Sequence, residues 1–165
     1  MALRSASTKA DSLERCVRKN RGIDLRLNAI GPVFRCSARD VSQRHELASL
    51  AGFIAPPLLH YDIARINRAA TKSSSTAAPL FGFSALLALR SALWAQRFLC
   101  SKGECLAVDD NPTAHARLLR LYTRLGFVEQ YYVGERGLAD IPDLVVWGAR
   151  GTRCGVVLFS EHPSS

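Results

Sequence analysis

The sequence lacks the patterns that mark a membrane span, a metal site or a disulfide framework. Its most apolar stretch, Leu80–Cys100, is interrupted by Arg90, Gln96 and Arg97, whereas a spanning helix needs about twenty consecutive apolar residues. The five cysteines include no CxxC pair, and the four histidines form no HxxxH-like cluster. We therefore expect no membrane span, no bound metal, and free thiols of the kind that persist in a reducing compartment.

Length and composition are those of an ordinary globular domain. The chain has 165 residues, 48% hydrophobic and 22% charged, so a single domain with a sizeable core is expected. Its net charge of +8 favours anionic partners, namely nucleic acid, acidic lipid surfaces or phosphorylated cofactors, without choosing among them. Because the basic residues are dispersed and no RNA-binding strand signature or zinc-finger pattern is present, nucleic acid is an alternative and not the favoured partner. Nothing in the sequence indicates an oligomeric state.

The N-terminal stretch is basic and rich in hydroxyl groups. Its first 21 residues carry six basic side chains against two acidic ones, with no apolar run long enough for a secretory signal. Such a composition indicates either an organellar transit peptide or a disordered basic tail. We therefore predict a tail over residues 1–30, a folded domain over residues 31–157 and a second tail over residues 158–165.

The stretch Ala107–Phe127 predicts a complete strand, loop, helix and turn. Asn111 or Asp110 can cap the helix, and Pro112 suits its first turn, where the missing N–H costs nothing. Gly126 follows the last periodic residue, in the usual place for a left-handed C-cap. The apolar residues that recur at helical spacing are Leu118, Leu121, Tyr122 and Leu125.

The rest of the chain predicts alternating strands and helices, which indicates an α/β fold. One helix is expected to start at residue 40 or 42 and to end near residue 50. A largely buried helix is expected over Leu80–Leu99, with Arg90 and Arg97 on a solvent-facing edge, after a loop at residues 69–79. The predicted strands are Val33–Ser37, Leu58–Ile66, Cys105–Val108, Val128–Val133 and Asp143–Trp147.

The run LLRLYTRLGF, at the predicted helix and turn, resembles the LYxxxGF element of the GNAT acetyltransferase superfamily. Two further blocks resemble a GNAT-like group from plants, algae and cyanobacteria: Leu58–Ala70 (LLHYDIARINRAA) and Gly137–Arg153 (GLADIPDLVVWGARGTR). The resemblance implies a mixed sheet flanked by helices and acetyl-CoA as co-substrate. It also implies transfer of the acetyl group to an amine of a small molecule or a protein.

The resemblance gives two residues catalytic roles. It matches Tyr122 to the tyrosine that protonates the departing thiolate of CoA; from helical spacing alone, Tyr122 is more simply a core residue with its hydroxyl at the rim. Asp62, beside His60 on a predicted strand, is the candidate general base, and the alternative is a buried, paired carboxylate with a structural role. Asp109 and Asp110 could contact an amine or cap the helix.

The same resemblance places the pyrophosphate of the cofactor at PLFGFSALL, residues 79–87. Gly82 and Ser84 occupy the two small positions of the family pattern Arg/Gln-x-x-Gly-x-Gly/Ala, and Phe83 lies between them. Pro79 stands in place of Arg or Gln, which removes that side chain and a backbone N–H. Backbone N–H groups at a helix N-terminus usually hold such a pyrophosphate. We therefore expect acetyl-CoA to bind at a turn around Gly82–Ser84, despite this departure.

Two basic residues of the predicted helix are also candidates for cofactor binding. His115 lies seven residues before Tyr122, where many GNAT enzymes carry Asn. It could bind a phosphate or a pantetheine carbonyl, or it could be an exposed first-turn residue. Arg117 forms a basic stripe with Arg120 and Arg124. The stripe is either a solvated face or supplies one contact to the 3′-phosphate of CoA.

The N-terminal half is expected to be short for this family. A full GNAT domain places a strand hairpin between its first helices and its central strand, and only Phe53–Leu59 lies between the predicted helix and strand here. Three functions remain open: an acetyl-CoA-dependent N-acetyltransferase with direct transfer, a catalytically inactive module that binds CoA or a protein partner, and a basic nucleic-acid-binding protein. The basic N-terminus and the resemblance to proteins of photosynthetic organisms favour the plastid, with mitochondrion or cytoplasm as alternatives.

Overall fold

The computed structural model describes residues 2–67 and 80–159, and the side chains within residues 8–67 and 82–159. These parts of the chain form four α-helices and seven β-strands in two compact units, which meet in sequence between Ser101 and Lys102. The composition of elements is mixed α/β, as predicted. None of the described helices is both long enough and apolar enough to cross a membrane.

The first unit is a four-stranded antiparallel sheet with two helices. Each strand pairs with the next one along the chain, through turns at Gly31–Pro32, at residues 41–45 and at Pro56–Pro57. The Pro56–Pro57 peptide bond is cis. Gly31 has a φ of +58°, which glycine adopts without steric cost. A short 3₁₀ turn at Gln96–Phe98 follows the second helix. The elements are α1 (Ala2–Arg21), β1 (Ile23–Ile30), β2 (Val33–Asp40), β3 (Glu46–Ala55), β4 (Leu58–Ile66) and α2 (Leu80–Ala95).

The core of this unit is centred on Phe34 of β2. Its ring centroid lies 5.4 Å from that of Trp94 on α2 and 6.5 Å from that of Tyr61 on β4, where the two rings meet edge to face. The hydroxyl of Tyr61 donates a hydrogen bond to the carbonyl of Ala88 at 3.2 Å. These contacts hold α2 against the sheet.

The first 30 residues contribute to the fold, so the prediction of a disordered tail over residues 1–30 is wrong. They form α1 and β1, with Val17 and Ile23 among their buried side chains. The carboxylate of Glu14 accepts a hydrogen bond from Nε of Arg90 on α2 at 2.5 Å. The side chain of Arg90 is only 14% exposed, so its predicted place on a solvent-facing edge is also wrong, whereas Arg97 is exposed.

The helix predicted from residue 40 or 42 to residue 50 is instead a turn followed by β3. The Asp40 carboxylate does accept backbone hydrogen bonds, from Ser42 and Gln43, but these close a tight turn and do not start a helix. The strand hairpin of a full GNAT domain, for which the sequence left room only at Phe53–Leu59, is therefore present as β2 and β3. The expected shortening of the N-terminal half is therefore a lack of helices, because residues 23–67 contain none.

The second unit is a three-stranded antiparallel sheet with β7 in the middle, paired with β5 on one side and β6 on the other. The helix at Pro112–Arg124 confirms the predicted signals: the Asn111 side chain accepts from two backbone N–H groups, Pro112 follows, and Gly126 has a φ of +89°. A 3₁₀ turn at Gly137–Asp140 precedes the last helix. The elements are β5 (Lys102–Val108), α3 (Pro112–Arg124), β6 (Val128–Val133), α4 (Ile141–Trp147) and β7 (Gly151–Val157).

The strand predicted at Asp143–Trp147 is wrong, since these residues belong to α4. Pro142 lies in the first turn and Gly148, with a φ of +64°, ends the helix. These two signals prevail over the strand preference of the Val-Val pair. Strand β7 was not predicted, because its two glycines suggest a turn in the sequence alone.

The second unit is held together by an ionic cluster around Arg153 of β7. One terminal nitrogen of its guanidinium donates to the Tyr131 hydroxyl on β6 and to Oδ1 of Asp143 on α4, the latter at 2.9 Å. The other terminal nitrogen donates to the carboxylate of Glu104 on β5. Glu104 is 2% exposed, so the guanidinium supplies the charge partner that a buried carboxylate requires. One side chain thus connects three strands and a helix.

Arg136 extends the cluster towards α4. Its guanidinium lies 3.7 Å from the centre of the Tyr131 ring, and it donates to Asp140 at 2.7 Å and to Asp143 at 2.9 Å. Asp140 also accepts from the backbone N–H groups of Gly134 and Arg136. Burial opposes ionisation of Asp140, but these donors outweigh it and hold the pKa of this carboxyl below its usual value.

The Glu14–Arg90 contact provides a test of whether α1 stabilises the fold. We expect Glu14→Gln to lower the free energy of unfolding by about 1–3 kcal/mol, because the poorly exposed guanidinium of Arg90 loses its charge partner. The matched control is Glu46→Gln, whose partner Arg35 is 55% exposed, with an expected cost below about 1 kcal/mol. Urea denaturation of both variants measures the difference; equal costs would contradict the docking of α1.

The ionic cluster provides a second test. We expect Arg153→Lys to lower the free energy of unfolding by about 2–4 kcal/mol, because a lysine cannot serve Glu104, Asp143 and the tyrosine at once. Arg124→Lys, at the exposed end of α3, is the control and should change stability by less than about 0.5 kcal/mol. Thermal and chemical unfolding of the two variants would refute the role of the cluster if Arg153→Lys were as neutral as the control.

Candidate functional site

Tyr122 lies on the sheet-facing side of α3. Its ring centroid is 5.9 Å from that of Phe127, just before β6. Burial raises the pKa of the Tyr122 phenol above its usual value near 10, and the neighbouring thiols of Cys105 and Cys154 add to the shift. The phenol therefore holds its proton at physiological pH, as a general acid must. A core tyrosine would show the same burial, so the catalytic role of Tyr122 stays a prediction.

The two thiols beside Tyr122 face each other across the sheet. Cys105 of β5 and Cys154 of β7 are directly opposite in register, and their side chains share a hydrogen bond. Burial raises the pKa of Cys105, and the hydrogen bond from Cys105 lowers the pKa of Cys154. All five cysteines are free thiols. The burial of Cys105 thus disfavours its thiolate, the form in which a cysteine acts as a nucleophile.

His115 is the centre of a polar network at the start of α3. Its Nε2 lies 3.0 Å from the hydroxyl of Thr152 on β7, and its Nδ1 lies 3.8 Å from Oδ1 of Asp109. The other carboxylate oxygen of Asp109 accepts a hydrogen bond from Tyr132 at 3.0 Å, which raises the pKa of that tyrosine. The His115 side chain is 17% exposed, so the alternative of an exposed first-turn residue is wrong.

Thr152 and Tyr132 are members of this network that the sequence did not reveal. Asp109 was expected to contact an amine or cap the helix, and the structure assigns the cap to Asn111. Thr152 meets His115 only because β7 pairs with β5, and that pairing joins residues that are 43 to 55 positions apart in the sequence. Local spacing carries no signal for such a contact.

The basic stripe of α3 is solvent-exposed. Arg117, Arg120 and Arg124 all have exposed side chains, which confirms the expectation of a solvated face. A contact from Arg117 to the 3′-phosphate of CoA stays a prediction. In the second unit, the structure thus places Tyr122 and His115 on the packed side of α3 and Arg117 on its outer side.

Asp62 lies on β4 in the first unit and its side chain is exposed, so the alternative of a buried, paired carboxylate is wrong. It is the extra residue of a β-bulge: Tyr61 pairs with Gly52 and Ile63 pairs with Ala51, which leaves Asp62 without a partner in the ladder. Bulges re-aim side chains and are frequent beside active sites. The geometry is compatible with a general base, and that role stays a prediction.

Gly52 and His60 lie next to the bulge. A Cβ atom at Gly52 would lie 1.9 Å from the carbonyl oxygen of His60, so only glycine permits the close approach of β3 and β4 here. The ring of His60 is buried and stacks on Phe53 with 4.2 Å between centroids. His60 is therefore a packed residue next to the candidate base.

The residues expected to form a phosphate-binding turn belong to α2. Gly82, Phe83 and Ser84 lie in its first turns, so the prediction of a turn at these positions is wrong. The side chain of Phe83 is fully buried and can contribute to ligand binding only through its backbone. Gly82 and Ser84 are partly exposed, and small residues early in a helix allow a phosphate to approach backbone N–H groups. Pro79 lies outside the described residues.

No protein-family model and no curated protein sequence matches the chain. Similarity is found to solved structures. An acetyltransferase from Bacillus subtilis, in complex with CoA, superposes with a TM-score of 0.56 at 13% identity, covering 83% of this chain and 99% of that one. The ribosomal-protein-S18-alanine N-acetyltransferase from Escherichia coli gives a TM-score of 0.54 at 8% identity, covering 83% of this chain and 76% of that one.

A third structure, assigned as a ribosomal-protein-serine acetyltransferase from Vibrio cholerae, gives a TM-score of 0.50 at 11% identity. The match covers 76% of this chain and 64% of that one, so the chain spans less than two thirds of that protein. At such identities the similarity concerns the fold. The chain has the mixed α/β fold of the GNAT acetyltransferases.

Proposed function

We propose that the chain is an acetyl-CoA-dependent N-acetyltransferase that transfers the acetyl group directly to an amine. The observation that carries the proposal is the fold, which it shares with acetyltransferases that include a CoA complex. Direct transfer needs no enzyme nucleophile, and the buried, protonated Cys105 fits that requirement. The acceptor is an amine of a small molecule or a protein, and the plastid is our proposed location.

In this proposal, Tyr122 protonates the leaving group. The amine nitrogen attacks the thioester carbonyl carbon, the carbon–sulfur bond breaks, and the thiolate of CoA must take up a proton. Burial raises the pKa of the Tyr122 phenol, so the hydroxyl carries its proton when the thioester is attacked. In the proposal, this proton passes to the sulfur as the carbon–sulfur bond breaks.

Asp62 is the proposed base that removes a proton from the incoming ammonium, directly or through water. The bulge presents its carboxylate to solvent, where an acceptor amine can reach it. Because Asp62 is an extra residue in the ladder, its backbone is not constrained by a cross-strand pair.

For the cofactor, we propose that the first turn of α2 holds the pyrophosphate: Gly82 offers its backbone N–H, the small side chain of Ser84 leaves room for the approach, and Phe83 is anchored in the core. The α2 residues described here fit such a group, since the two small side chains leave the backbone accessible. Arg117, being exposed, remains a candidate for the 3′-phosphate. His115 is already bound to Thr152, so we assign it the positioning of α3 next to β7 and only a secondary part in cofactor contact.

A catalytically inactive module that binds CoA or a protein partner is the second candidate. The Pro at position 79, where the family pattern has Arg or Gln, favours it, because one usual phosphate contact is lost. This candidate predicts acetyl-CoA binding without turnover. The two candidates are therefore separated by activity and not by affinity.

The test is calorimetric titration of the full chain with acetyl-CoA and with CoA, followed by thiol-release assays against polyamines, lysine and short peptides. We expect micromolar acetyl-CoA binding and turnover with one amine class. Tyr122→Phe should keep the affinity for acetyl-CoA and lower kcat about a hundredfold. Tyr61→Phe, which removes a hydroxyl that bonds to Ala88 in the first unit, is the control and should leave kcat unchanged.

The outcomes separate the candidates. Absence of binding at millimolar acetyl-CoA, in protein shown to be folded by thermal unfolding, would refute both the enzyme and the inactive module. Binding without turnover on any amine class would favour the inactive module. Equal loss of kcat in Tyr122→Phe and Tyr61→Phe would remove Tyr122 from the chemistry.

A further inference from the structure

The excess positive charge of the chain lies in its first unit. Residues 1–101 contain 15 Lys and Arg against 6 Asp and Glu, whereas residues 102–165 contain 7 against 8. The first unit therefore carries a formal charge of +9 and the second a charge of −1. An anionic partner attracted by this charge would meet the first unit.

One cleft in this unit gathers four basic side chains. It has a volume of about 550 Å³ and is lined by the last turn of α1, the start of β1, the end of β2 and the turn that follows β2. Among the described residues, Val41 is the one apolar side chain in its wall. We call it the arginine cleft after its four arginines, Arg18, Arg26, Arg39 and Arg44.

The two acidic residues of the arginine cleft are already engaged. Asp24 accepts from Nε of Arg26 at 2.7 Å and lies 3.8 Å from Arg18. Asp40 is buried, and its Oδ1 accepts from the N–H and the hydroxyl of Ser42 at 2.8 and 2.5 Å. Because both carboxylates are occupied, the cleft offers a net positive surface to a ligand.

Arg39 and Arg44 are available for binding. Both side chains are exposed and, within residues 8–67 and 82–159, neither forms an ion pair. The backbone N–H of Arg44 donates to the carbonyl of Asp40 at 2.9 Å, and Arg44 has a φ of +57°, so the turn fixes the position of this residue. The helix dipole favours a basic residue such as Arg18 at the end of α1, so that residue has a structural role. Arg39 and Arg44 lie on a strand and a turn, where the dipole gives them no such role.

We propose that the arginine cleft binds the phosphate backbone of a nucleic acid without reading its base sequence. Guanidinium groups match phosphate oxygens in charge and geometry, and four of them on four elements suit several successive phosphates. None of the described residues that line the cleft is aromatic, so these residues offer the bases no ring to stack on. A lipid surface fits less well, because the concave wall offers only Val41 for insertion into a bilayer. This binding is independent of the proposed acetyl transfer.

The test is fluorescence anisotropy of the full chain with labelled duplex DNA and single-stranded RNA over a series of salt concentrations. We compare Arg39→Gln/Arg44→Gln with the control Arg65→Gln/Arg97→Gln, which removes two exposed charges elsewhere in the same unit. Loss of two phosphate contacts should lower the salt slope of the cleft variant for duplex DNA by about two, and its affinity at 0.15 M salt by about tenfold. The control should change both by less than half as much.

A measurement on the unchanged protein supports the comparison. Hydrogen exchange of the turn at residues 41–45 should slow when nucleic acid is added, since the turn forms one wall of the arginine cleft. Three results would overturn the proposal: no salt-dependent binding, equal losses in the two double variants, or displacement of the nucleic acid by CoA. Binding to anionic phospholipid vesicles that depends on Arg39 and Arg44, without nucleic-acid binding, would overturn it in favour of a lipid surface.

Discussion

The ionic contacts of the partly buried Arg153 guanidinium are the interaction on which the second unit depends. It binds Glu104, Asp143 and Tyr131 and thereby fixes β7 between its two neighbours. Successive side chains of a strand point to opposite faces, so Thr152 lies on the other side of β7 and meets His115 on α3. The charge cluster on one face of the strand thus determines the polar network on the other. Without it, the helix that carries Tyr122 would lose a fixed support.

Elements with short-range signals were predictable from the sequence. Helix α3 is marked at its start by Asn111 and Pro112 and at its end by Gly126, and these residues act within one turn of themselves. Strand β3 was mistaken for a helix because Asp40, which closes a turn, is also a good helix cap. What makes this segment a strand and not a helix is its pairing with β2 and β4, and a local sequence pattern carries no information about such pairing. The helix and strand within residues 2–30 were not predicted for a related reason: their few apolar side chains are buried by contacts with distant parts of the chain.

The candidate site also combines features that local sequence signals predict with features that depend on strand pairing. Tyr122 and His115 were predictable as members of one helix, and the apolar periodicity of that helix places Tyr122 on its packed side. The sequence could not give the partners of His115, the bulge at Asp62 or the burial of Phe83, since each depends on strand register. The arginine cleft shows the limit most clearly. Its four arginines are separated by up to 26 positions and look dispersed in the sequence, yet two hairpin strands, a helix end and a turn bring them to one cleft.

The bulge on β4 determines how easily the Asp62 carboxylate can be gained or lost in evolution. Ala51 pairs with Ile63 and Gly52 with Tyr61, so deletion of Asp62 would restore a regular ladder and leave every other β3–β4 pair in place. A one-residue deletion elsewhere in the strand would move all later side chains to the opposite face. In evolutionary terms, the acidic group behaves as a removable insertion. A lineage could gain or discard it in a single step without refolding the sheet around it.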